Sequence, residues 1–452
     1  MTFDWRKLRF LEYAKNQMPP KMIKKAAPFL LGLIPVILYF WYIQKYGVNC
    51  IIADDWIQVP LIHSAFFHNL KISDLWAQNH EHRTFFPNLI AVLFAFFTHF
   101  NTKFEMFFGG ILLASSFLVL IKIPVEKLWT SPWMFVLPAF TWFSLCQFEA
   151  MLFGHHFAWN LVLLCILLSI YFLERISRGR GYLIAAIIMA VIASFSSLQG
   201  LFVWPCGIFY LAAKKTKKFY MASWMFAALV AIVIYFAGYQ FQIMSDKPFY
   251  FFLAHLGMSM EYFLASTGNI FWMPMLSFSF YLDEFFGVCI LLLAAYSIWT
   301  FLKGREDGSH PLPVTLILFG LLFEFALVVG RSGYGVLQAS SSRYTTYGLV
   351  LLVGIYLHLS ASRPAKHTLK SYMKAAVVML LFFQMITSFL TGSVMGQFHK
   401  NQVIIANEIL AHYTTAYPAS IQRYLYPNVQ QFYEYASMAK ESKLSIFSSL
   451  RK

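Results

Sequence analysis

The sequence predicts an all-α protein, a polytopic bundle of transmembrane helices, and three observations lead there. First, of 452 residues 59% are hydrophobic and only 12% charged, about half the charged share of a soluble domain. The mean hydropathy of +0.60 means more apolar surface than one or two soluble cores can hide, so lipid must cover the excess. Second, the apolar residues gather in runs of about 20, the length that spans a bilayer as a helix. Third, the 35 Lys and Arg against 20 Asp and Glu, a net charge of +15, fall in short clusters between those runs, the pattern of cytoplasmic loops. That placement argues against nucleic acid as a partner and makes the bilayer the expected one. Five cysteines, four of them in or beside apolar runs, supply neither a disulfide framework nor a CxxC metal site.

The basic stretch 1–27 reads as a cytoplasmic N-terminus, and the run 28–46 as a retained signal anchor with its N-terminus inside. Further runs lie near 85–100, 104–122, 133–149, 156–174, 182–198, 200–213, 219–238, 285–302, 312–330, 345–361 and 374–391, with 250–277 ambiguous. The clusters Arg175/Arg178/Arg180, Lys214/Lys215/Lys217/Lys218 and Arg363/Lys366/Lys370/Lys374 place three loops inside. Counting every run from 85 to 174 as a crossing would put the Arg175 cluster outside, so one of them re-enters or lies flat; Pro87 and the polar break 101–103 single out 85–100. The expectation is about 11 crossings and at most about 13, in a cytoplasmic (inner) membrane, N-terminus inside and C-terminus outside. The transmembrane domain then covers 28–391, with a structured first outside loop at 47–83, and 392–452 forms a small extracytoplasmic helical cap.

Loop 47–83 is the densest polar segment, holding Asp54, Asp55, Asp74 and Glu81 with His63, His68, His80, His82 and Arg83. Within it, Ala53-Asp54-Asp55-Trp56 sets two carboxylates side by side. Adjacent acids repel, which suits one of them to accept a proton from a hydroxyl, while the other can cap the following helix. In Asn79-His80-Glu81-His82-Arg83 the spacing is not that of a metalloprotease. A divalent metal held by His80, Glu81, His82 and an Asp is conceivable; phosphate or sugar recognition by the Arg83 fork, oriented by Glu81, is the stronger reading. Far along the chain, Gly330-Arg331-Ser332-Gly333-Tyr334-Gly335 and Ser340-Ser341-Ser342-Arg343-Tyr344 put two arginines outside, where the inside bias disfavours them, so they serve an anionic ligand or pair with acids. Gln147, Glu149, His155 and His156 interrupt one apolar stretch, and Ser196 to Gly200 with Trp204 another; each can line a sugar pocket or simply bond helix to helix. Glu324, inside an apolar run, should be paired or near a cavity.

With an Asp pair after the first membrane helix, a His/Glu/Arg loop and arginines on a later outside loop, the chain resembles the GT-C superfamily of polytopic glycosyltransferases, in layout over most of 28–391. The resemblance implies a membrane enzyme moving a sugar from a polyprenyl-phosphate sugar to a glycan, lipid or protein acceptor on the outer face. It puts the base on Asp54 or Asp55, donor phosphate on Arg83, Arg331 and Arg343, and the substrate pocket around Glu81, His82, Gln147, Glu149, His156, Gln199, Trp204 and Tyr334. It leaves open a divalent metal, needed by some relatives and not others. The chain departs from the family in carrying Asp54-Asp55 where Asp-Glu is common, and in lacking a lysine at the 196–204 turn. A lipid-linked polysaccharide polymerase or ligase, and a transporter or flippase of lipid-linked sugars, are the alternatives.

Overall fold

A computed structural model describes residues 20–123, 131–240, 248–304, 310–361, 368–411, 425–426 and 428–448. Among them the chain is almost wholly helical, with one two-residue antiparallel hairpin. Eight helical segments are long and apolar enough to cross a membrane: Ala26–Tyr46, Thr102–Lys122, Pro132–Leu152, Gly154–Glu174, Lys218–Phe236, Ser279–Lys303, Leu312–Tyr334 and Leu369–Ala411. The protein is therefore a membrane protein of the all-α class.

Helix α1 (Pro20–Tyr46) presents Phe29, Leu30, Leu33, Ile37 and Trp41 outward while burying Tyr39, Tyr42, Ile43 and Tyr46. After it come a 3-10 turn (Ala53–Gln58), α2 (Val59–Phe66), a helical turn (Ile72–Leu75) and the hairpin β1 (Gln78–Asn79) to β2 (His82–Arg83). Helix α3 (Phe85–Thr98) has 14 residues, a length of about 21 Å against about 30 Å of hydrocarbon. Its first turn is tied to Leu75 and to the Phe195 carbonyl. Past its end, Thr102 bonds back to Asn49, just after α1. The 85–100 run thus begins and ends among the residues that follow α1.

Helix α4 (Thr102–Lys122) runs away from that end, and its last carbonyl meets Arg175. The run expected over 133–149 is broken into α5 (Val136–Trp142) and α6 (Phe148–Leu152). The break falls at Ser144, and the amide of Leu145 that it frees is taken by Ser388 Oγ at 2.8 Å, as buried backbone in a membrane requires. Helices α7 (Phe157–Glu174), α8 (Arg180–Ser194), α9 (Val203–Ala213) and α10 (Lys218–Phe236) follow. The ambiguous 250–277 stretch forms two short helices, α11 (Pro248–Ala254) and α12 (Leu256–Gly268). Helix α12 lies against α13 (Ser279–Lys303) so closely that a Cβ on Gly268 would meet the Asp283 carbonyl, and one on Gly287 that of Leu264. Only glycine permits that approach.

Helix α14 (Leu312–Arg331) ends at the cavity described below, and α15 (Thr345–Ser360) is the axis of the bundle, buried at every residue. Helix α16 (Leu369–Ala411) has 43 residues, about 65 Å, and continues through Gly392 where a domain boundary was expected. Its final turns carry Val403, Ala406 and Leu410 into a second, smaller core with Ile52, Trp56, Phe100 and α17 (Val429–Glu441). This end of the chain is a helical unit built jointly with the first loop. Pro418 and Pro427, which in the sequence divide this segment into short amphipathic pieces, lie outside the described residues.

Candidate functional site

Where the first loop, the hairpin, the start of α7 and the end of α14 meet, they enclose a cavity of about 310 Å³. Its polar wall carries Asp54, Glu81, His82, His156, Gln199, Arg331, Tyr334 and Arg343; its apolar wall includes Trp159, Phe202, Phe251, Phe323 and Leu327. Eight of the thirteen residues read from the sequence as catalytic, phosphate-binding or pocket-forming therefore share one chamber.

The two adjacent aspartates part ways. Asp55 is 1% exposed, and its Oδ1 accepts the His155 amide at 3.0 Å, so it caps the turn that opens α7. Burial, with Asp54 beside it, pushes its pKa up to about 7, although the amides of His155 and Ile52 pull the other way. Its Oδ2 has no hydrogen-bond partner among the described residues. Asp54 points into the cavity, and no protein group among the described residues bonds its carboxylate.

The hairpin positions Glu81 and His82. At its tip His80 takes a left-handed conformation, φ 48°, tolerated by histidine more readily than by branched residues. The Glu81 carbonyl accepts the hydroxyls of Tyr235 at 2.9 Å and Tyr239 at 3.2 Å, while its carboxylate pairs with Arg331 and lies 3.6 Å from His82 Nε2. Burial works to raise the Glu81 pKa, but His82 and Arg331 outweigh it and hold the carboxyl below its ordinary value. His82 is pushed down, by burial first and with Arg331 and His80 adding to it, against the pull of Glu81 and Asp54. Such a His is neutral at pH 7.

Of the two cavity arginines, Arg331 is committed to Glu81 and approaches the Tyr334 hydroxyl at 3.4 Å. Arg343 is held by its rear: its amide donates to Glu149 Oε2 at 2.8 Å and its Nε to Ser341 Oγ at 3.2 Å, with Glu149 3.8 Å from that nitrogen. Both terminal nitrogens of Arg343 are without a protein hydrogen bond among the described residues. A planar fork with two unspent donors is what a phosphate takes.

Five predicted site residues stand behind the wall. Arg83 does not reach the cavity: its Nε, Nη1 and Nη2 donate to the carbonyls of Tyr235 (3.3 Å), Trp76 (3.1 Å) and Ala237 (2.9 Å). The guanidinium is spent fastening the hairpin to the end of α10, so the expectation that it holds phosphate is corrected. Trp204 is also not a pocket residue; its Nε1 donates to Ser194 Oγ at 2.9 Å and its ring packs on Trp224. Gln147 bonds the Trp142 carbonyl and Thr346 inside the bundle. Glu149 and Asp55 shape the chamber by holding Arg343 and His155. Among the described residues no three His, Cys, Asp or Glu side chains are placed to hold a metal ion, so the set weighed around His80, Glu81 and His82 is not assembled as a metal site. Glu324 is fully buried, between cavity-lining Phe323 and Ala326 but not itself on the wall.

Compared with known proteins, the chain matches no family model, no curated protein and no solved structure. Its function must be read from the chamber itself.

Proposed function

We propose that this protein is a membrane glycosyltransferase that moves a sugar from a polyprenyl-phosphate-linked donor to a glycan, lipid or protein acceptor of the cell envelope. The observation that carries the reading is the convergence of one unpaired carboxylate, Asp54, and one arginine with an unspent fork, Arg343, on a chamber with an aromatic and aliphatic wall. An amphiphile with an anionic link between an apolar chain and a hydroxylated ring fits that division. In the proposed topology the bundle crosses a cytoplasmic membrane about 11 times, with α3 lying along the outer surface and α11 and α12 dipping in from it. The chamber then opens on the extracytoplasmic side, the face without the lysine clusters.

In this reading Arg343, seconded by Arg331, holds the donor phosphate and meets the charge that grows on it as the C1–O bond breaks. Asp54 draws the proton from the attacking acceptor hydroxyl. One direct displacement inverts the anomeric centre. Glu149 and Asp55 keep Arg343 and the start of α7 in register, and Gln199, with its Oε1 accepting Ser197 Oγ at 2.6 Å, offers its amide to ring hydroxyls.

The test is transfer by the purified protein in lipid vesicles, supplied with farnesyl-phosphate-linked hexoses and pentoses and with extracted envelope glycans as acceptors. Labelled sugar should move to the acceptor with the wild-type protein and not with Asp54→Asn, while both bind farnesyl phosphate alike. Lipid-linked sugar exchanged between leaflets without transfer would overturn the reading in favour of a flippase.

A further inference from the structure

Two histidines on the cavity wall are set in opposite polarity by the backbone around them. His82 Nδ1 faces the amide of Leu198 at 3.2 Å. An amide N–H can only donate, so this ring nitrogen accepts and the neutral ring carries its hydrogen on Nε2. His156 is the reverse. Its Nδ1 lies 2.9 Å from the carbonyl oxygen of Glu149, which can only accept, so the hydrogen sits on Nδ1 and Nε2 keeps its lone pair. No protein group among the described residues takes that lone pair, and the side chain lines the cavity. The ring is clamped: Trp159 stacks on it with centroids 5.3 Å apart and Phe153 lies at 5.1 Å. Flipping it to exchange the nitrogens would break the Glu149 bond in a site only 7% exposed.

His156 also stands within electrostatic reach of both Asp54 and Arg343. Those groups mark the two ends of the proposed reaction. At the Asp54 end a hydroxyl proton is released; at the Arg343 end a phosphate diester becomes a monoester, whose new oxyanion has a second pKa of about 6. Burial first, and Arg343 after it, hold the His156 pKa below its ordinary value against the pull of Glu149 and Asp54, so the resting ring is neutral and its Nε2 is open to a proton.

We propose that His156 is the proton shuttle of the chamber, its Nε2 taking the proton that Asp54 has drawn from the acceptor hydroxyl and passing it to the oxygen of the departing phosphate monoester. This rests on the transferase reading. The acceptor O–H bond breaks as its oxygen bonds to C1, and the C1–O bond to phosphate breaks with its electron pair left on the phosphate oxygen. The proton travels from Asp54 to His156 to that oxygen, so both side chains end as they began.

His156→Asn tests this, because the Asn amide can still donate to the Glu149 carbonyl but has nothing at the Nε2 position. In the vesicle assay with farnesyl-phosphate-linked sugars, the variant should keep the wild-type thermal midpoint and affinity for farnesyl phosphate. Transfer should slow at least about tenfold and be partly restored by added imidazole. A rate within twofold of wild type overturns the shuttle and leaves the transferase standing. A slow variant that imidazole does not lift assigns His156 to architecture and overturns the shuttle as well. A wild-type protein that transfers no sugar overturns the transferase reading, and the shuttle with it.

Discussion

Two clusters in this molecule use the same kinds of side chain and end in opposite states. At the ends of α7, α9 and α14 that face away from the cavity, Glu174 pairs with Lys214 at 2.9 Å and His310 at 3.3 Å, and accepts the Tyr210 hydroxyl. Nearby Arg175 spends its guanidinium on the Tyr171 carbonyl at 3.0 Å and lies over the Tyr171 ring. There each carboxylate oxygen has a partner, and the cluster locks three helices together. At the cavity an acid, arginines and histidines are again assembled, but Asp54, the Arg343 fork and His156 Nε2 have no protein partner among the described residues. Charged groups held open inside a membrane protein cost free energy, so open capacity rather than the presence of charge separates a candidate site from a clasp.

The largest expected effect breaks the open cluster at its acid. Asp54→Asn should lower transfer by about 100-fold or more with an unchanged thermal midpoint, because the carboxylate supports nothing else. Residual transfer near the wild-type rate would move the base elsewhere in the chamber.

That division was partly legible in the sequence. Asp54, Glu81, Arg331 and Arg343 announce themselves as charges between apolar runs and apart from the lysine and arginine clusters, and Glu149 and His156 as polar interruptions of an apolar stretch. What could not be read is which charges are already spent. Arg83 looks like Arg343 in one dimension, yet its partners are backbone carbonyls, that of Trp76 nearby and two about 150 residues away at the end of α10, and carbonyls carry no sequence signature. Trp204 and Gln147 are likewise spent inside the bundle, Trp204 on the Ser194 hydroxyl ten residues away and Gln147 on the Trp142 carbonyl and Thr346, and a sequence does not show which polar groups have met such partners. The apolar wall left no trace either: Trp159, Phe251 and Phe323 face a chamber, but lipid and cavity select the same residues. Helix α3 shows the matching limit for the fold. Its composition suits a membrane span, and only the tie from Thr102 to Asn49 reveals that the chain returns to the end of α1.

Next in size is the contrast between the two arginines. Arg343→Ala removes an unspent fork, and each charge-assisted hydrogen bond lost costs about 1.5–3 kcal/mol, so the KM for lipid-linked donor should rise roughly ten- to hundredfold. Arg331→Ala removes a group already paired with Glu81 and should raise it less. Steady-state kinetics on the two variants sharpens the comparison; an equal or reversed order would mean the Glu81 pair opens on binding and Arg331 is the principal anchor.

Asp55 gives a smaller, pH-dependent effect. An acid whose folded pKa of about 7 exceeds its unfolded 3.8 binds its proton more tightly when folded. Its contribution is thus fully present below about pH 4 and is lost as pH rises toward 7, by at most a few kcal/mol. Asp55→Asn cannot ionise, so its thermal midpoint should fall less than that of the wild type between pH 4.5 and 7.5. Parallel pH profiles for the two proteins would show that Asp55 stays charged throughout.

The smallest effect on turnover is expected at the closed cluster, and it decides whether the comparison holds. Glu174→Gln leaves Lys214 and His310 facing a neutral amide, a loss of about 1–3 kcal/mol, so the thermal midpoint should drop by a few degrees. Transfer per folded molecule should stay within twofold, because no unspent group is removed and the cavity lies at the other end of α7 and α14. If activity instead falls together with stability, the ends of these helices are mechanically coupled across the bundle, and the clasp is part of how the chamber is held in shape.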